Sequence, residues 1–375
     1  MAITNNPLPR VSALGQSLWL DYIRRDLMSS GGLRRLIEDD GLRGMTSNPA
    51  IFEKAISGSQ DYAADIQSGM REGKSVETIY EALSQRDVQT AADIFRPVYD
   101  KLNGADGYVS LEVNPHLAHE TQGTIEEGRR LWAALDRPNV FIKVPATKAG
   151  LPAIKQLISE GINVNVTLLF GLPRYREVVE AYIGGLEARV AAGQPVDRIA
   201  SVASFFLSRI DTLVDPQLEK LVAAGGQKAE LAKQALGQVA IASAKVAYEI
   251  YKELFGSSRF RRLADKGAKP QRLLWASTGT KNPAYSDVKY IEALIGPATV
   301  NTVPVETLDA YRDHGDPQLR LESGTEQAQK VLRSLPELGI KIDQVTQQLE
   351  DDGVEKFNKP FDQLMAALTK QTSGK

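Results

Sequence analysis

Short apolar segments alternate with longer helical ones along almost the whole chain. Eight of the short segments have the length and alternating polarity of strands, and residues at helical spacing separate them. The strand segments are 17–21, one that ends within 45–52, 107–114, 139–147, 162–167, 199–205, 272–277 and 298–303. Strands that alternate with helices predict a parallel sheet, and eight such units close most simply into an α/β fold of the (β/α)8 TIM-barrel type.

An open, doubly wound sheet is the competing arrangement. It usually carries a glycine-rich phosphate turn after its first strand, and residues 20–24 (LDYIR) contain no glycine. No linker rich in Gly, Pro or Ser divides the chain, so we expect residues 1–375 to form one barrel domain. An alanine-rich, charged segment at about 216–262 predicts a helical insertion, and residues of about 322–375 predict a helical C-terminal tail.

Composition limits the classes of function. Hydrophobic residues make up 42% and charged residues 25%, which is typical of a globular protein and excludes disorder as the main state. The net charge of -2 supplies no overall field for nucleic acid or an anionic membrane, so neither is expected as a partner. The absence of cysteine excludes disulfides, thiolate metal sites and cysteine nucleophiles. Without a signal-like N-terminus or an apolar run of roughly 20 residues, we expect a cytoplasmic protein.

One lysine lies in the middle of the apolar strand 139–147 (NVFIKVPAT). Side chains alternate along a strand, so Lys143 shares a face with Phe141 and cannot simply reach water. Burial among apolar groups disfavours the ammonium, so we expect a lowered pKa and an amine able to attack a carbonyl. The resulting Schiff base withdraws electrons from a neighbouring C–C bond. The alternative is a structural lysine at a strand end, paired with a carboxylate.

Polar residues recur where the other predicted strands end. Parallel barrels collect their chemistry at these ends, and a core that served stability alone would avoid such groups. The residues are Asp21, Asn48, Glu112, Asn165, Thr167 and Ser204.

Their chemical types suit catalysis through an imine. Asp21 is suited to take the hydroxyl proton as the C–C bond breaks, and Glu112 with Thr167 and a water to handle the dehydration. The other three are amides and a hydroxyl that suit sugar hydroxyls. These residues also have structural alternatives: Asn48 could be only a helix cap, Asp21 only a surface turn residue, and Glu112 only the ion-pair partner of the lysine.

Two cations follow late strands, Arg209 after the sixth and Lys281 after the seventh. Barrels often hold a substrate phosphate at these loops, so we expect a phosphate site. The alternative for Arg209 is a surface salt bridge with Asp211 or Asp215.

Imidazole chemistry has little support in the sequence. His116 and His119 are three residues apart and lack an assured third ligand, and His314 is isolated. We therefore expect no metal site and no cofactor.

Three segments carry a specific resemblance: 44–52 (GMTSNPAIF), 142–147 (IKVPAT) and 165–170 (NVTLLF). Together they resemble the transaldolase family, and the match extends from about residue 17 to 315. The resemblance implies a class I aldolase barrel with the Schiff base on Lys143, Asp21 as the acid/base at the C–C bond, and Glu112 with Thr167 around a water. Further contacts are implied for Asn48, Asn165 and Ser204 with the dihydroxyacetone unit and for Arg209 with phosphate.

The resemblance also implies a reaction. Members move a dihydroxyacetone unit from sedoheptulose 7-phosphate to glyceraldehyde 3-phosphate in the pentose phosphate pathway, which makes small sugar phosphates the expected partners. The chain departs from shorter members through Lys281, where they commonly have arginine, and through its insertion, which is similar to the longer bacterial branch. It is too short to include the phosphoglucose isomerase domain fused to some of that branch. A monomer or homodimer is expected.

Two other functions stay open from the sequence. A fructose-6-phosphate aldolase-like enzyme would use the same lysine but release dihydroxyacetone, and such relatives tend to have a neutral residue at the position of Glu112. A non-catalytic sugar-phosphate-binding barrel would lack at least one of Asp21, Glu112 and Lys143, and all three are present.

Overall fold

The computed structural model describes residues 6–373 and contains a closed barrel of eight parallel strands in chain order. The strands are β1 Gln16–Asp21, β2 Gly44–Thr46, β3 Tyr108–Glu112, β4 Val140–Pro145, β5 Val164–Leu169, β6 Ser201–Phe206, β7 Arg272–Ala276 and β8 Thr299–Val303. The last strand pairs with the first, with Gln16 opposite Thr299. The predicted (β/α)8 barrel is confirmed, and the doubly wound sheet is wrong because it would leave two edge strands.

Helices surround the barrel, and two 3-10 turns at Gln60–Tyr62 and Pro115–His119 interrupt the connections. The α-helices are α1 Leu8–Ala13, α2 Arg25–Ser29, α3 Gly32–Asp39, α4 Pro49–Ser57, α5 Ala63–Arg71, α6 Val76–Lys101, α7 Thr121–Leu135, α8 Gly150–Glu160, α9 Leu172–Ala191, α10 Ser208–Ala224, α11 Gln227–Ala235, α12 Val239–Phe255, α13 Ser258–Ala264, α14 Lys289–Glu292, α15 Val305–His314, α16 Thr325–Ser334 and α17 Ile342–Ser373. Across residues 6–373, no helix is long and apolar enough to span a membrane.

Aromatic rings fill the half of the barrel at the amino-terminal ends of the strands. Tyr108 and Phe141 stack with their ring centroids 4.3 Å apart, and Trp19 stacks on Phe141 at 6.0 Å. A Cβ on Gly44 would lie 2.6 Å from the Trp19 ring, so only glycine fits at that point of β2. Because these rings fill the amino-terminal half, Asp21 and Lys143, each two residues beyond a ring on its strand, lie towards the carboxyl end.

The segment of about 216–262 is helical and belongs to α10 through α13. Its first helix begins at Ser208 rather than near Pro216, which lies inside α10. Between β7 and β8 the only α-helix in the described chain is the short α14, Lys289–Glu292.

The tail contributes two helices, of which α16 packs on α12. The long α17 crosses the carboxyl end of the barrel, where it packs against α4, α6, α10 and the 3-10 turn after β3. Since the loops after the strands surround this end, α17 forms part of the wall of any site there.

Candidate active site

A cavity of about 200 Å3 lies at the carboxyl ends of the strands. It is lined by seven of the nine residues predicted from the sequence, namely Asp21, Asn48, Lys143, Thr167, Ser204, Arg209 and Lys281. Glu112 lines an adjoining cavity of about 50 Å3, and Asn165 is fully buried against Ser204. The structure therefore brings all nine to the same end of the barrel.

Lys143 projects into the barrel from β4 and is 4% exposed. Its Nζ donates a hydrogen bond to the backbone carbonyl of Ser47 at 2.9 Å. Glu112 is its register partner on β3, and Oε2 of Glu112 lies 3.2 Å from Nζ. Lys143 therefore has the carboxylate partner that a structural lysine would need. The pair nevertheless lies inside the barrel, and Lys143 lines the cavity of about 200 Å3.

Glu112 and Thr167 have unused hydrogen-bonding capacity. Oε1 of Glu112 and Oγ1 of Thr167 are buried and form no hydrogen bond within residues 6–373, and the buried Oε2 of Glu112 has only the 3.2 Å contact with Lys143. Burial raises the pKa of Glu112, and the positive charge of Lys143 opposes that rise. Buried polar atoms of this kind need a hydrogen-bond partner, and a water or a substrate hydroxyl is a suitable one.

Asp21 lies in the cavity wall at the end of β1. Thr46 donates a hydrogen bond of 2.6 Å to its Oδ1, and Thr46 is in turn 2.7 Å from the hydroxyl of Thr302 on β8. Burial raises the pKa of Asp21, while Lys143 and the Thr46 hydrogen bond act in the opposite direction. A carboxylate whose pKa is raised while it is held in one orientation is suited to exchanging a proton with a substrate hydroxyl.

A buried hydrogen-bond chain links the middle of the site. Ser204 donates to Oδ1 of Asn165 at 2.7 Å, and Nδ2 of Asn165 donates to the hydroxyl of Ser110 at 3.1 Å. The chain fixes the orientation of the Asn165 amide next to Ser204, which lines the cavity.

Asn48 lines the cavity and also caps α4, with its Oδ1 accepting from the Ile51 amide at 3.0 Å. The helix-cap alternative is therefore confirmed, and it is compatible with a contact to substrate. The cap fixes Oδ1, and the amide nitrogen of the same side chain has no hydrogen-bonding role in the cap.

Arg209 lies in the first turn of α10, just beyond β6. Its Nη1 is buried and has no hydrogen-bond partner within the described chain, and its guanidinium lies 5.4 Å from the ring of Phe206. Burial lowers the pKa of Arg209, opposed by the charges of Asp21 and Glu112. A buried guanidinium with a free donor is a ready anion site.

The surface salt-bridge alternative for Arg209 is wrong. Asp211 instead pairs with Lys289 at 2.9 Å, and Asp215 accepts from Tyr285 at 2.8 Å and from the Gly237 amide. Two residues along a helix differ by about 200° in direction, so Asp211 faces away from Arg209.

Lys281 lines the same cavity from the loop after β7, with an exposed side chain. Its charge acts on Asp21, which places it within electrostatic reach of the site. Arg209 and Lys281 together supply two cations at the late-strand side of the cavity, as the sequence predicts for a phosphate.

The histidines lie outside this cavity. His116 pairs with Asp362 of α17 at 2.7 Å, and His314 pairs with Asp287 at 2.9 Å. Within the described part of the chain, no three His, Cys, Asp or Glu side chains form a group able to hold a metal ion.

Sequence reasoning did not single out nine further residues that line the cavity, among them Thr46, Thr302 and Phe357. Thr46 is inside the segment 44–52 that carries the resemblance, so its place before Asn48 was an available signal. The apolar pattern of the tail predicted a helix but gave no sign that one of its rings would face Lys143.

A closed parallel barrel with a buried lysine paired to a carboxylate at the carboxyl ends of its strands, and two cations beside the same cavity, is typical of class I aldolase barrels. The family model described as "Transaldolase/Fructose-6-phosphate aldolase" matches residues 18–368. The chain therefore belongs to the transaldolase/fructose-6-phosphate aldolase family, and it is an enzyme.

Full-length relatives agree with this assignment. The chain is 51% identical to a transaldolase of Trichodesmium erythraeum over 98% of its length and 97% of the relative. It is 50% identical to transaldolase 2 of a Nostoc species, with 97% of both chains covered. It is 47% identical to a transaldolase of Saccharopolyspora erythraea, with 98% of both chains covered. The predicted family is confirmed.

Proposed function

We propose that this enzyme is a transaldolase that carries a dihydroxyacetone unit between sugar phosphates through a Schiff base on Lys143. The observation that carries the proposal is the buried Lys143 Nζ, 3.2 Å from Glu112 and in the same cavity as Asp21. Full-length relatives named transaldolase support transfer over the aldolase alternative. The donor is sedoheptulose 7-phosphate or fructose 6-phosphate, and the acceptor is glyceraldehyde 3-phosphate or erythrose 4-phosphate, in the pentose phosphate pathway.

The first stage forms the imine. Lys143 Nζ transfers a proton to Glu112 and adds to the ketose carbonyl carbon. The carbinolamine takes a proton on its hydroxyl from Glu112, loses water and becomes a protonated imine. Thr167 Oγ1 and Glu112 hold that water, which is consistent with the absence of a hydrogen-bond partner for Thr167 Oγ1 and Glu112 Oε1 among residues 6–373.

The second stage breaks the C–C bond. Asp21 removes the proton from the hydroxyl on the carbon beyond the scissile bond, that hydroxyl becomes an aldehyde, and the bonding electrons pass into the imine to give an enamine. The aldose phosphate leaves and the three-carbon unit stays on Lys143. A second aldose phosphate takes its place, and the steps run in reverse to release the new ketose phosphate.

Substrate is held by groups on either side of the lysine. Asn48, Asn165 and Ser204 contact the hydroxyls of the dihydroxyacetone unit. Arg209 binds the phosphate through its free Nη1, and Lys281 adds a second, exposed charge.

Borohydride trapping tests the proposal. Protein incubated with fructose 6-phosphate and a chelator is reduced, weighed intact and mapped by peptide mass. A three-carbon adduct on Lys143, absent in Lys143→Ala, is expected, followed by transfer when erythrose or glyceraldehyde phosphate is supplied. Normal turnover in folded Lys143→Ala protein would overturn the imine mechanism, and free dihydroxyacetone as the main product would favour the aldolase alternative. No adduct on folded wild-type protein would point to a sugar-phosphate-binding barrel.

The molecular setting is part of the same proposal. We expect one barrel domain over residues 1–375, with the helical insertion at about 216–262 and the tail at about 322–375 as additions. We further expect a cytoplasmic enzyme that is a monomer or homodimer and that acts without nucleic acid, membrane, metal or cofactor.

A further inference from the structure

The tail helix α17 is fixed firmly over the barrel end. Arg174 of α9 and Glu350 of α17 are both buried, and Nε lies 3.1 Å from Oε2. A Cβ on Gly353 would lie 3.0 Å from Cδ2 of Leu168, so the helix approaches β5 closely at that point. Leu168 itself has φ +54°, which is strained for a bulky residue and coincides with a register shift in β5. Glycine is unfavourable inside a helix, so close approach is the reason for its presence.

One turn further along, α17 places a phenyl ring in the cavity wall. The Phe357 ring is 4% exposed, with its centroid 5.9 Å from Nζ of Lys143 and 6.0 Å from the guanidinium carbon of Arg209. Its neighbour Phe361 is 8% exposed and contacts Tyr80 and His116 instead. The two rings lie on the same helix and are buried to a similar extent, but of the two only Phe357 lines the cavity of about 200 Å3 that contains Lys143.

We propose that Phe357 is a specificity-determining residue that shields the lysine-bound three-carbon unit from water, so that the unit is transferred rather than released. This inference rests on the proposed function. The ring lines the cavity next to Lys143 and Arg209, and an apolar face there leaves water no hydrogen-bond partner on that side. The same face is placed to stabilise the cation of the imine.

The reaction that Phe357 opposes consumes one water. The enamine carbon accepts a proton and becomes the imine of dihydroxyacetone. Water adds to the imine carbon and loses a proton, and the C–N bond then breaks to return the Lys143 amine and free dihydroxyacetone. Transfer needs the same enamine carbon to attack an aldehyde before that protonation occurs, so the outcome depends on how much water reaches it.

The test compares Phe357→Ala, Phe357→Leu and the matched control Phe361→Ala in the full-length chain. For each protein, two products are measured with fructose 6-phosphate as donor and erythrose 4-phosphate or glyceraldehyde 3-phosphate as acceptor: free dihydroxyacetone and the new ketose phosphate. The amount of dihydroxyacetone divided by the amount of ketose gives the ratio of release to transfer. This ratio is independent of the fraction of active protein. We expect it to rise about tenfold in Phe357→Ala, which corresponds to about 1.4 kcal/mol, and less in Phe357→Leu. Phe361→Ala should stay close to wild type.

Borohydride adducts on Lys143 are measured in all four proteins to separate the two proposals. Adducts in every protein with an unchanged ratio in folded Phe357→Leu would overturn the role of Phe357 and leave the imine mechanism intact. An equal rise in Phe361→Ala would also overturn it, because loosening of α17 would then explain the effect. A folded wild-type protein without adduct would overturn both proposals together.

Discussion

Nζ of Lys143 and Oε2 of Glu112 lie 3.2 Å apart, and their side chains are only 6% and 4% exposed. A buried ion pair contributes little net stability, because desolvation of both charges offsets their attraction. The pair is therefore poorly explained as a structural feature of a core. It is well explained as a proton donor and acceptor, since a short transfer from lysine to carboxylate leaves the amine that attacks a carbonyl.

Replacing Glu112 with Gln keeps the size of the side chain and removes its ability to take a proton. We expect imine formation to slow by roughly 10²-fold, which is the lower range for loss of a general acid/base group. Rapid-quench borohydride trapping measures this rate directly. Glu127→Gln is the matched control, because Glu127 lines the same small cavity as Glu112 but not the large one. A normal trapping rate in Glu112→Gln would contradict the assigned role.

Replacing Asp21 with Asn separates imine formation from bond cleavage. We expect turnover to fall by about 10²-fold or more, while trapping with fructose 6-phosphate captures the whole six-carbon sugar instead of three carbons. Intact mass distinguishes the two adducts. A three-carbon adduct formed at the wild-type rate would show that another group removes the hydroxyl proton.

The same variant should be more stable than wild type at neutral pH. Burial raises the pKa of Asp21 in the folded protein, so ionisation above its unfolded pKa of about 3.9 disfavours folding. Asparagine removes that cost, and we expect a Tm higher by about 1–2 °C at pH 7.5. The difference should shrink as pH falls towards the unfolded pKa, since both states are then protonated in wild type. Melting curves across pH test this, and a lower Tm at pH 7.5 would contradict it.

Replacing Thr46 with Val removes the hydrogen bond that lowers the pKa of Asp21. In the proposed mechanism Asp21 acts when ionised, so activity should be lost as pH falls through its pKa. The variant should therefore lose activity at a higher pH than wild type, with kcat reduced roughly tenfold. Thr46→Ser keeps the hydroxyl and should restore the wild-type profile. If Val and Ser variants give the same acid limb in the pH profile of kcat, the hydrogen bond does not tune Asp21.

Much of the fold and of the candidate site followed from the sequence because it depends on periodicity. Alternation of strands and helices predicts the barrel, and the rule that chemistry lies at carboxyl ends places Asp21, Lys143 and Ser204 together without further information. Glu112 could be predicted for the same reason, since β3 and β4 are neighbours in a barrel with strands in chain order.

Tertiary packing decides the features that the sequence did not reveal. Phe357 is far along the chain from the barrel strands, and nothing in its helical pattern says which of its apolar residues faces a cavity. The partner of Asp211 could not be read from proximity in sequence, because Lys289 reaches it from a later connection. The sequence suggested that a helix starts near Pro216, whereas α10 starts at Ser208 and contains Pro216 in its interior.

Arg209 and Lys281 should differ in how much they contribute to phosphate binding. The buried Nη1 of Arg209 has no hydrogen-bond partner among residues 6–373, so Arg209→Gln should raise KM for phosphorylated acceptors about 10–100-fold, the range for a charged hydrogen bond. Lys281 is exposed and its charge is screened, so Lys281→Gln should raise KM by only about threefold.

Steady-state assays with glyceraldehyde 3-phosphate and with unphosphorylated glyceraldehyde separate phosphate binding from general damage. Both variants should raise KM for the phosphorylated acceptor and leave KM for unphosphorylated glyceraldehyde close to wild type, because the role proposed for both cations is to bind phosphate. Raising the salt concentration should weaken the contribution of Lys281 more than that of Arg209, since exposed charges are screened more strongly. Equal losses with both acceptors would mean that Arg209 maintains the shape of the site and does not bind phosphate.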